Sequence, residues 1–198
     1  MKIILASKSL RRSELMSLIT DSFTIEEAAV DERLIESEYK GSPEGLSEVL
    51  AWAKAKAVFE TMKDKYKGED FVVIGADTSV IAGDQILGKP QDREDALRML
   101  TTLSGITHKV VTGVALEGTK GSSSFSETSL VTFNDLDDIQ TKTINHYIDT
   151  KDPYDKAGAY GIQSGGSLLV KEIKGDYFNI VGLPVNRLAR ELRSSGYL

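Results

Sequence analysis

The chain has 198 residues, of which 24 are Lys or Arg and 30 are Asp or Glu, so its formal net charge is −6. This acidic balance lacks the basic surface that displaces counterions from nucleic acids, so we expect no general binding of DNA or RNA. The 40% hydrophobic content indicates a globular protein, and the absence of cysteine excludes disulfide bonds, thiolate metal sites and a cysteine nucleophile.

The chain begins with a predicted strand at residues 3–5, a helix from about Ser9 and a second strand at residues 23–25. The first apolar run is too short for a signal peptide, and no run approaches the ~20 residues of a membrane span. We therefore expect a soluble cytoplasmic protein that does not engage membranes.

A long helix is predicted after Ser42 and Pro43, an N-cap followed by proline at the first helical position, and it is expected to end before Gly68. Residues 71–76 predict a central strand that is buried on both faces and ends at Asp77. Strand and helix patterns then alternate, with strands at 79–82, 108–116 and 124–133 and helices from 92, across 135–149 and from 184. The helix across 135–149 is expected to bury Leu136, Ile139, Tyr147 and Ile148.

Two hairpins are predicted in the second half of the chain. The first has its loop at residues 118–126, a short polar segment between two strands. The second joins runs at 168–173 and 177–181 through a turn. Because strands joined by short turns run antiparallel, the sheet cannot be wholly parallel. We expect a single α/β domain over residues 1–198, with a mixed twisted sheet and flanking helices.

Polar residues at the ends of several elements carry the candidate chemistry. After the first strand, Ser7 and Ser9 precede a helix with Arg11 and Arg12 in its first turn. Arginines there oppose the helix dipole, whereas a bound anion would face both the guanidinium groups and the free backbone N–H groups. The segment is either an anion site or an exposed basic turn capped by Ser9.

Three further charged residues follow in chain order. Lys56 is flanked by alanines, which let a ligand come near, although a surface lysine is the alternative. Asp77 follows the central strand, where open α/β sheets place their ligands, and it suits a metal ligand, a general base or the cap of a turn. Lys89 lies between Gly88 and Pro90, which fix its direction, but a solvated lysine fits the same pattern.

The segment at 155–166 joins an acidic–basic pair to a run of small residues and Gln163. Its glycines can wrap a planar ligand whose edge the Gln163 amide reads by paired hydrogen bonds. A glycine-rich strand with a bulge and no ligand is the alternative. His108 and His146 have no His, Cys or acidic partner at metal-ligand spacing, and we interpret both as structural.

The order of these motifs resembles the Maf family of nucleoside triphosphate pyrophosphatases. Eight blocks carry the resemblance: LASKSLRR near the start, VDE at 30–32, AKA around 56, GADT at 75–78, GKP at 88–90, LSG to TGV at 103–114, DKAGAYGIQ and VGLPV. The family implies an inosine-triphosphatase-like fold, shared with Ham1 proteins, of two lobes around a cleft. Leu10 stands where the family usually has proline, which bears on the rigidity of that loop.

The resemblance implies hydrolysis of a nucleoside triphosphate to the monophosphate and pyrophosphate, by metal-dependent attack of water at the α-phosphorus. It implies catalytic roles for Glu32, Lys56, Asp77 and Lys89. Asp77 would be the general base, a ligand of Mg²⁺ or Mn²⁺ together with Glu32, or both. The implied substrate contacts are Ser7, Arg11, Arg12, Thr78 and Gln163. Arg12, Thr78 and Gln163 resemble the branch of the family that acts on dTTP and UTP.

Two alternatives stay open: a preference for 7-methyl-GTP, and a regulator of septum formation that binds nucleotides without hydrolysing them. A broad phosphatase is disfavoured, because nothing resembles a phosphoenzyme nucleophile. The family also suggests a homodimer. In this interpretation an acidic protein gathers four cations in one pocket for a metal-bound triphosphate: Arg11, Arg12, Lys56 and Lys89.

Overall fold

A mixed α/β arrangement is found in the computed structural model, which describes all residues 1–198. The strands are β1 (Lys2–Ala6), β2 (Thr24–Glu26), β3 (Phe71–Ala82), β4 (Gln85–Leu87), β5 (Thr107–Gly118), β6 (Gly121–Phe133) and β7 (Val170–Lys174). The helices are α1 (Leu10–Ser17), α2 (Glu32–Glu38), α3 (Leu46–Met62), α4 (Arg93–Leu103), α5 (Asp138–Asp149), α6 (Tyr177–Val181) and α7 (Val185–Ser194). Short 3-10 helices cover Pro43–Gly45, Asp152–Asp155, Ala157–Ala159 and Gly165–Leu169.

The seven strands form one mixed sheet in the order β2-β1-β3-β5-β6-β7, with β4 paired to β3. This confirms the predicted α/β class with a mixed sheet. The chain divides into two compact units, one of Met1–Asp77, Thr112–Glu127 and Gly182–Leu198 and the other of Thr78–Val111 and Thr128–Val181. None of the helices combines the length and apolar character that a membrane crossing requires.

In the first unit, β1 pairs in parallel with both β2 and β3. α3 packs on this sheet, and its Ala51 and Ala55 belong to the same buried cluster as Val73. A Cβ on Gly75 would overlap the Ala51 carbonyl oxygen and lie 2.8 Å from the Ala55 amide nitrogen. A Cβ on Gly113 would likewise overlap the backbone at the start of α3. Glycine at these two positions is therefore what lets α3 approach β3 and β5 so closely.

In the second unit, β3 pairs antiparallel with β4, with Val80 opposite Leu87, and β6 pairs antiparallel with β7, with Leu130 opposite Lys174. Helices α4 and α5 contact each other. Three aromatic rings, those of His108, Phe133 and Tyr160, meet edge to face with centroids 4.9 to 5.6 Å apart. This geometry is the favoured one for aromatic pairs and helps to stabilise the core of the unit.

Two strands are longer than the sequence predicts, because neighbouring strands supply hydrogen-bonding partners for the additional residues. β3 does not end at Asp77 but continues to Ala82, since its last residues pair with β4. The predicted loop at 118–126 is mostly strand, and only Thr119 and Lys120 separate β5 from β6. Residues 121–124 at this end of β6 are all exposed or half-buried, so polar side chains suit both faces of the strand there.

Side-chain caps explain two further corrections. Asp137 caps α5 by accepting a hydrogen bond from the Gln140 amide at 2.7 Å, so the helix begins later than predicted. Leu136 and Ile139 are consequently 50% and 75% exposed, whereas Tyr147 and Ile148 are buried as expected. Residues 177–181 form helix α6 and no strand, and the Asp176 carboxylate accepts a hydrogen bond from the Phe178 amide at 2.8 Å at its start.

Candidate functional site

A lysine held between two carboxylates marks the candidate site in the first unit. Lys54 Nζ lies 2.7 Å from Asp77 Oδ1 and 3.0 Å from Glu32 Oε1. The side chains of Lys54 and Asp77 are only 10% and 15% exposed, whereas that of Glu32 is 45% exposed. The Lys54–Asp77 pair is thus largely shielded from water, which strengthens the attraction between the two charges.

Local packing brings these three side chains together. Gly75 and Asp77 lie on the same face of β3, because side chains alternate along a strand. α3 closes on Gly75 through its Ala51 and Ala55 backbone, which places Lys54 beside Asp77. Glu32 is the first residue of α2, whose N-cap Asp31 accepts a hydrogen bond from the Leu34 amide at 3.1 Å.

Arg12 belongs to the same electrostatic environment. Its Nε donates a hydrogen bond to the Gly182 carbonyl oxygen at 2.9 Å. Burial lowers the pKa of Arg12, while the negative charge of Asp77 raises it and Arg11 lowers it further. A guanidinium group stays charged under such shifts. Arg12 is therefore a half-buried cation within the field of the Asp77 carboxylate.

The segment before α1, for which the sequence predicts an anion site or a capped basic turn, is stabilised by hydrogen bonds to its own serine side chains. The buried Ser7 accepts a hydrogen bond from the Ser9 amide at 3.2 Å, and the Ser9 hydroxyl accepts one from the Arg12 amide at 3.4 Å as the N-cap of α1. Arg11 is half-buried in the first turn of this helix. The structure thus gives Ser9 the capping role at the start of α1.

The two lysines of α3 lie on different sides of the helix. Lys56, which the resemblance implies as catalytic, is exposed, and it lies roughly 200° around α3 from Lys54, since each helical residue turns about 100°. Lys54, which the sequence motifs do not single out, is the lysine that contacts Asp77 and Glu32. A signal for it exists in the sequence, because Lys54 is four residues from Leu50 and from Val58 and so falls on the buried stripe of the helix.

The remaining predicted site residues belong to the second unit. Thr78 is half-buried on β3 directly after Asp77. Lys89 is exposed just after β4, where it lines an open pocket of about 580 Å³ with Gln91, Asp92 and residues of α4. The buried Pro90 follows it. Gln163 is exposed in a turn between two 3-10 helices, so the glycine-rich segment is not a bulged strand.

The structure places the acidic–basic pair at 155–156 and the two histidines outside the contacts of Lys54, Asp77 and Glu32. Lys156 Nζ lies 2.6 Å from Asp155 Oδ1, so these neighbours form an ion pair. His108 is buried with its Nε2 2.8 Å from the Tyr160 hydroxyl. Burial lowers the pKa of His108 to about 4, which keeps the ring neutral at physiological pH. His146 is exposed on α5.

The candidate metal ligands are the carboxylates of Glu32 and Asp77, both of which contact Lys54 Nζ. Nowhere does the chain gather three or more His, Cys, Asp or Glu side chains as a metal site. Mg²⁺ is commonly held by one or two carboxylates together with substrate phosphates. Glu32 and Asp77 fit that donor set. Glu36 lies one turn further along α2. Its pKa is raised mainly by burial and further by the negative charges of Asp77 and Glu32.

Comparisons with known proteins agree with these motifs. The chain matches the family model of Maf-like proteins over residues 2–195. A dTTP/UTP pyrophosphatase of Carboxydothermus hydrogenoformans is 47% identical over 199 residues, covering 100% of both chains. A dTTP/UTP pyrophosphatase of Geobacillus sp. strain WCH70 is 46% identical over 196 residues, covering 99% of both.

Among solved structures, the Staphylococcus aureus Ham1 protein aligns with 68% of this chain and 73% of its own, at 14% identity and a TM-score of 0.38. This is a weak likeness. The family model, in contrast, covers nearly every residue, and the relatives match from end to end at close to half identity. The chain therefore belongs to the Maf family.

Proposed function

We propose that this chain hydrolyses dTTP and UTP to the nucleoside monophosphate and pyrophosphate. The contact of Lys54 with both Asp77 and Glu32 carries this proposal, since it joins a shielded carboxylate, a cation and a second carboxylate in one place. The names of the two relatives, both dTTP/UTP pyrophosphatases, support the choice of substrate. Residues 2–195 fit the family throughout.

In the proposed reaction, Asp77 accepts a proton from the water that attacks the α-phosphorus. The new P–O bond forms as the bond to the bridging oxygen between the α- and β-phosphorus breaks, and pyrophosphate leaves. Lys54 holds the Asp77 carboxylate in place and supplies positive charge beside it. Such positioned charges act mainly by stabilising negative charge in the transition state.

The substrate phosphates require several cations, and Arg11, Arg12 and Lys89 remain the proposed ones. Ser7 is proposed to add a polar contact, and Thr78 and the Gln163 amide to contact the base. Glu32 and Asp77 would hold Mg²⁺ or Mn²⁺, both of which prefer oxygen ligands. When bound, the divalent cation neutralises negative charge on the phosphate oxygens.

Three further properties belong to the same proposal. The chain acts as one Maf-like domain over residues 1–198, works as a homodimer on free nucleotides in the cytoplasm, and binds no nucleic acid. The net charge of −6 supports the last point, because an acidic surface disfavours long phosphate backbones while a few local cations suffice for one triphosphate.

The test is to incubate the full chain with dTTP, UTP, CTP, GTP or 7-methyl-GTP and either Mg²⁺ or Mn²⁺, and to identify the products by chromatography. We expect dTTP and UTP to yield the monophosphate and pyrophosphate. In ¹⁸O-labelled water, the label should enter the monophosphate, because attack is at the α-phosphorus. Release of orthophosphate would overturn the proposed mechanism. A preference for 7-methyl-GTP would overturn the proposed substrate. Tight binding of nucleotides without turnover would overturn the enzymatic role.

A further inference from the structure

Gln163 lies in a turn whose two ends are joined by a hydrogen bond. The Ser164 amide donates to the Gly161 carbonyl oxygen at 3.3 Å, and residues 162 and 163 form the tip. Ile162 is buried while Gln163 is exposed. The buried neighbour holds the turn to the second unit, and the amide of Gln163 is left on the outer side, where a ligand can reach it.

Both ends of this turn are tied to one carboxylate oxygen. The Ser164 hydroxyl lies 2.6 Å from Asp152 Oδ2, and the Tyr147 hydroxyl donates to the same oxygen at 2.5 Å. The Gly161 amide in turn donates to the Tyr147 hydroxyl at 2.9 Å. Asp152 therefore reaches the end of the turn directly and its beginning through Tyr147.

The Asp152 carboxylate is kept charged by its surroundings. Lys156 Nζ lies 3.0 Å from Asp152 Oδ1 and donates to the Asp152 carbonyl oxygen at 2.7 Å. Although burial raises the pKa of Asp152, hydrogen bonds from Ser164, Tyr147 and Lys156 lower it below its ordinary value. A charged carboxylate only accepts hydrogen bonds, so it suits two hydroxyl donors at once, and charge-assisted bonds of this kind are short and strong.

Close packing leaves the turn little room to move. A Cβ on Gly166 would lie 2.7 Å from the Gly161 carbonyl oxygen, and a Cβ on Gly161 would lie 2.7 Å from Lys156 Cε. Both distances are shorter than real side chains adopt. The backbone of the turn thus sits directly against the chain that follows it and against the Lys156 stem.

We propose that Asp152, through Tyr147 and Ser164, positions the 161–164 turn so that the Gln163 amide can select the base. This inference rests on the proposed function, since it assigns Gln163 to the base of the substrate. Hydrogen-bond selection requires a fixed geometry, because a base is rejected only when it leaves a polar group of the site unpaired. Tyr147, Asp152 and Ser164 are positioning residues in this scheme and touch no reacting atom.

The experiment compares UTP with CTP, which differ at the base edge that an amide can read. We expect Tyr147→Phe and Ser164→Ala each to lower the UTP-to-CTP ratio of kcat/KM by about tenfold, mainly through KM. The kcat with saturating UTP should change by less than about twofold. Ser164→Thr keeps the hydroxyl and should restore the ratio. Ser167→Ala, which removes an exposed serine hydroxyl from the next 3-10 helix, is the matched control and should leave the ratio unchanged.

Two measurements separate positioning from general loss of stability. Because both residues act through Asp152, the double variant Tyr147→Phe/Ser164→Ala should lose about as much selectivity as either single variant. Amide hydrogen exchange should accelerate at Gly161 in Tyr147→Phe and stay slow in the strands β5 and β6. Acceleration throughout the chain, with additive losses, would overturn the proposal.

Gln163→Ala distinguishes failure of this inference from failure of the proposed function. If Gln163→Ala lowers the UTP-to-CTP ratio while Tyr147→Phe and Ser164→Ala keep it, the positioning role is wrong and the proposed function stands. If Gln163→Ala leaves the ratio unchanged, base selection by Gln163 is wrong, and the inference falls with it. If the wild-type chain hydrolyses neither UTP nor dTTP, the proposed function itself is overturned.

Discussion

Lys54 Nζ and Asp77 Oδ1 lie 2.7 Å apart, in an ion pair that depends on a position without a side chain. Gly75 precedes Asp77 by two residues on the same face of β3, and its missing Cβ leaves room for the α3 backbone. The approach of the helix is what brings its lysine to the strand carboxylate. Backbone packing and the proposed chemistry are therefore two effects of the same close contact.

Replacing Lys54 should abolish most activity, whereas replacing Lys56 should not. Lys54→Met leaves Asp77 and Glu32 without the cation between them, and we expect kcat/KM for UTP to fall by about 100-fold or more, as when a positioned charge is removed from an active site. Lys56→Met, on the exposed side of the same helix, is the matched control and should stay within about twofold. Equal losses in both variants would contradict the assignment.

Gly75→Ala should destabilise the protein although it adds one methyl group. The new Cβ would meet the backbone of Ala51 and Ala55, which cannot rotate away, so we expect the free energy of unfolding to fall by about 1–3 kcal/mol in urea titrations. Gly88→Ala, where a Cβ meets nothing within 4 Å, should change it by less than about 0.5 kcal/mol. The prediction fails if the two variants unfold at the same urea concentration.

The buried His108 should make stability depend on pH. Burial lowers its pKa to about 4, and its Nδ1 is buried without a hydrogen-bond partner, so the folded chain resists protonation there. Between pH 6.5 and 4 the unfolded chain binds a proton that the folded chain does not, so stability is lost as the pH falls, by about 1.4 kcal/mol per pH unit.

His108→Gln removes this contribution, and its unfolding free energy should therefore fall less steeply than that of the wild type between pH 6.5 and 4. Other titrating groups act equally on both proteins, so the comparison isolates the histidine. His146→Gln, on the exposed part of α5, serves as the control and should follow the wild-type curve. Parallel curves for wild type and His108→Gln would refute the prediction.

Removal of divalent metal should stop the proposed hydrolysis, and Glu32 should set how much metal is needed. With excess EDTA we expect no product, and activity should return on addition of Mg²⁺ or Mn²⁺. Glu32→Gln removes one of two carboxylate charges, so the Mg²⁺ concentration for half-maximal rate should rise by about tenfold or more. Glu38→Gln, an exposed residue at the end of the same helix, should leave that concentration unchanged.

Local sequence chemistry points to Asp77, which follows the apolar and small residues 71–76 of β3, whereas Glu32 is indicated only by the resemblance to the family. The flanking alanines draw attention to Lys56 in the sequence, whereas the buried stripe of α3 passes through Lys54. A lysine on a buried stripe requires an opposite charge from elsewhere in the fold, and the sequence does not say which one supplies it.

Other differences have the same origin in distant contacts. Helix α6 was predicted as a strand because its residues are apolar, but the buried Asn179 donates to the Val110 carbonyl oxygen at 2.9 Å and to the Ser129 hydroxyl at 2.9 Å. Tyr147 was predicted only as a core residue, and its hydroxyl connects Gly161 with Asp152. The hydrophobic periodicity of a sequence indicates which residues are buried, but it does not indicate which polar groups a buried side chain will contact.

The hydrogen bond from Arg12 to the Gly182 carbonyl oxygen joins residues 170 positions apart. During synthesis, the ribosome must therefore add 170 residues after Arg12 before this acceptor exists. A nascent chain that carries Ser7, Arg12 and Asp77 but stops before Gly182 lacks this hydrogen bond. Chains terminated before Gly182 should therefore hydrolyse nucleotides poorly, although they carry both carboxylates of the candidate site.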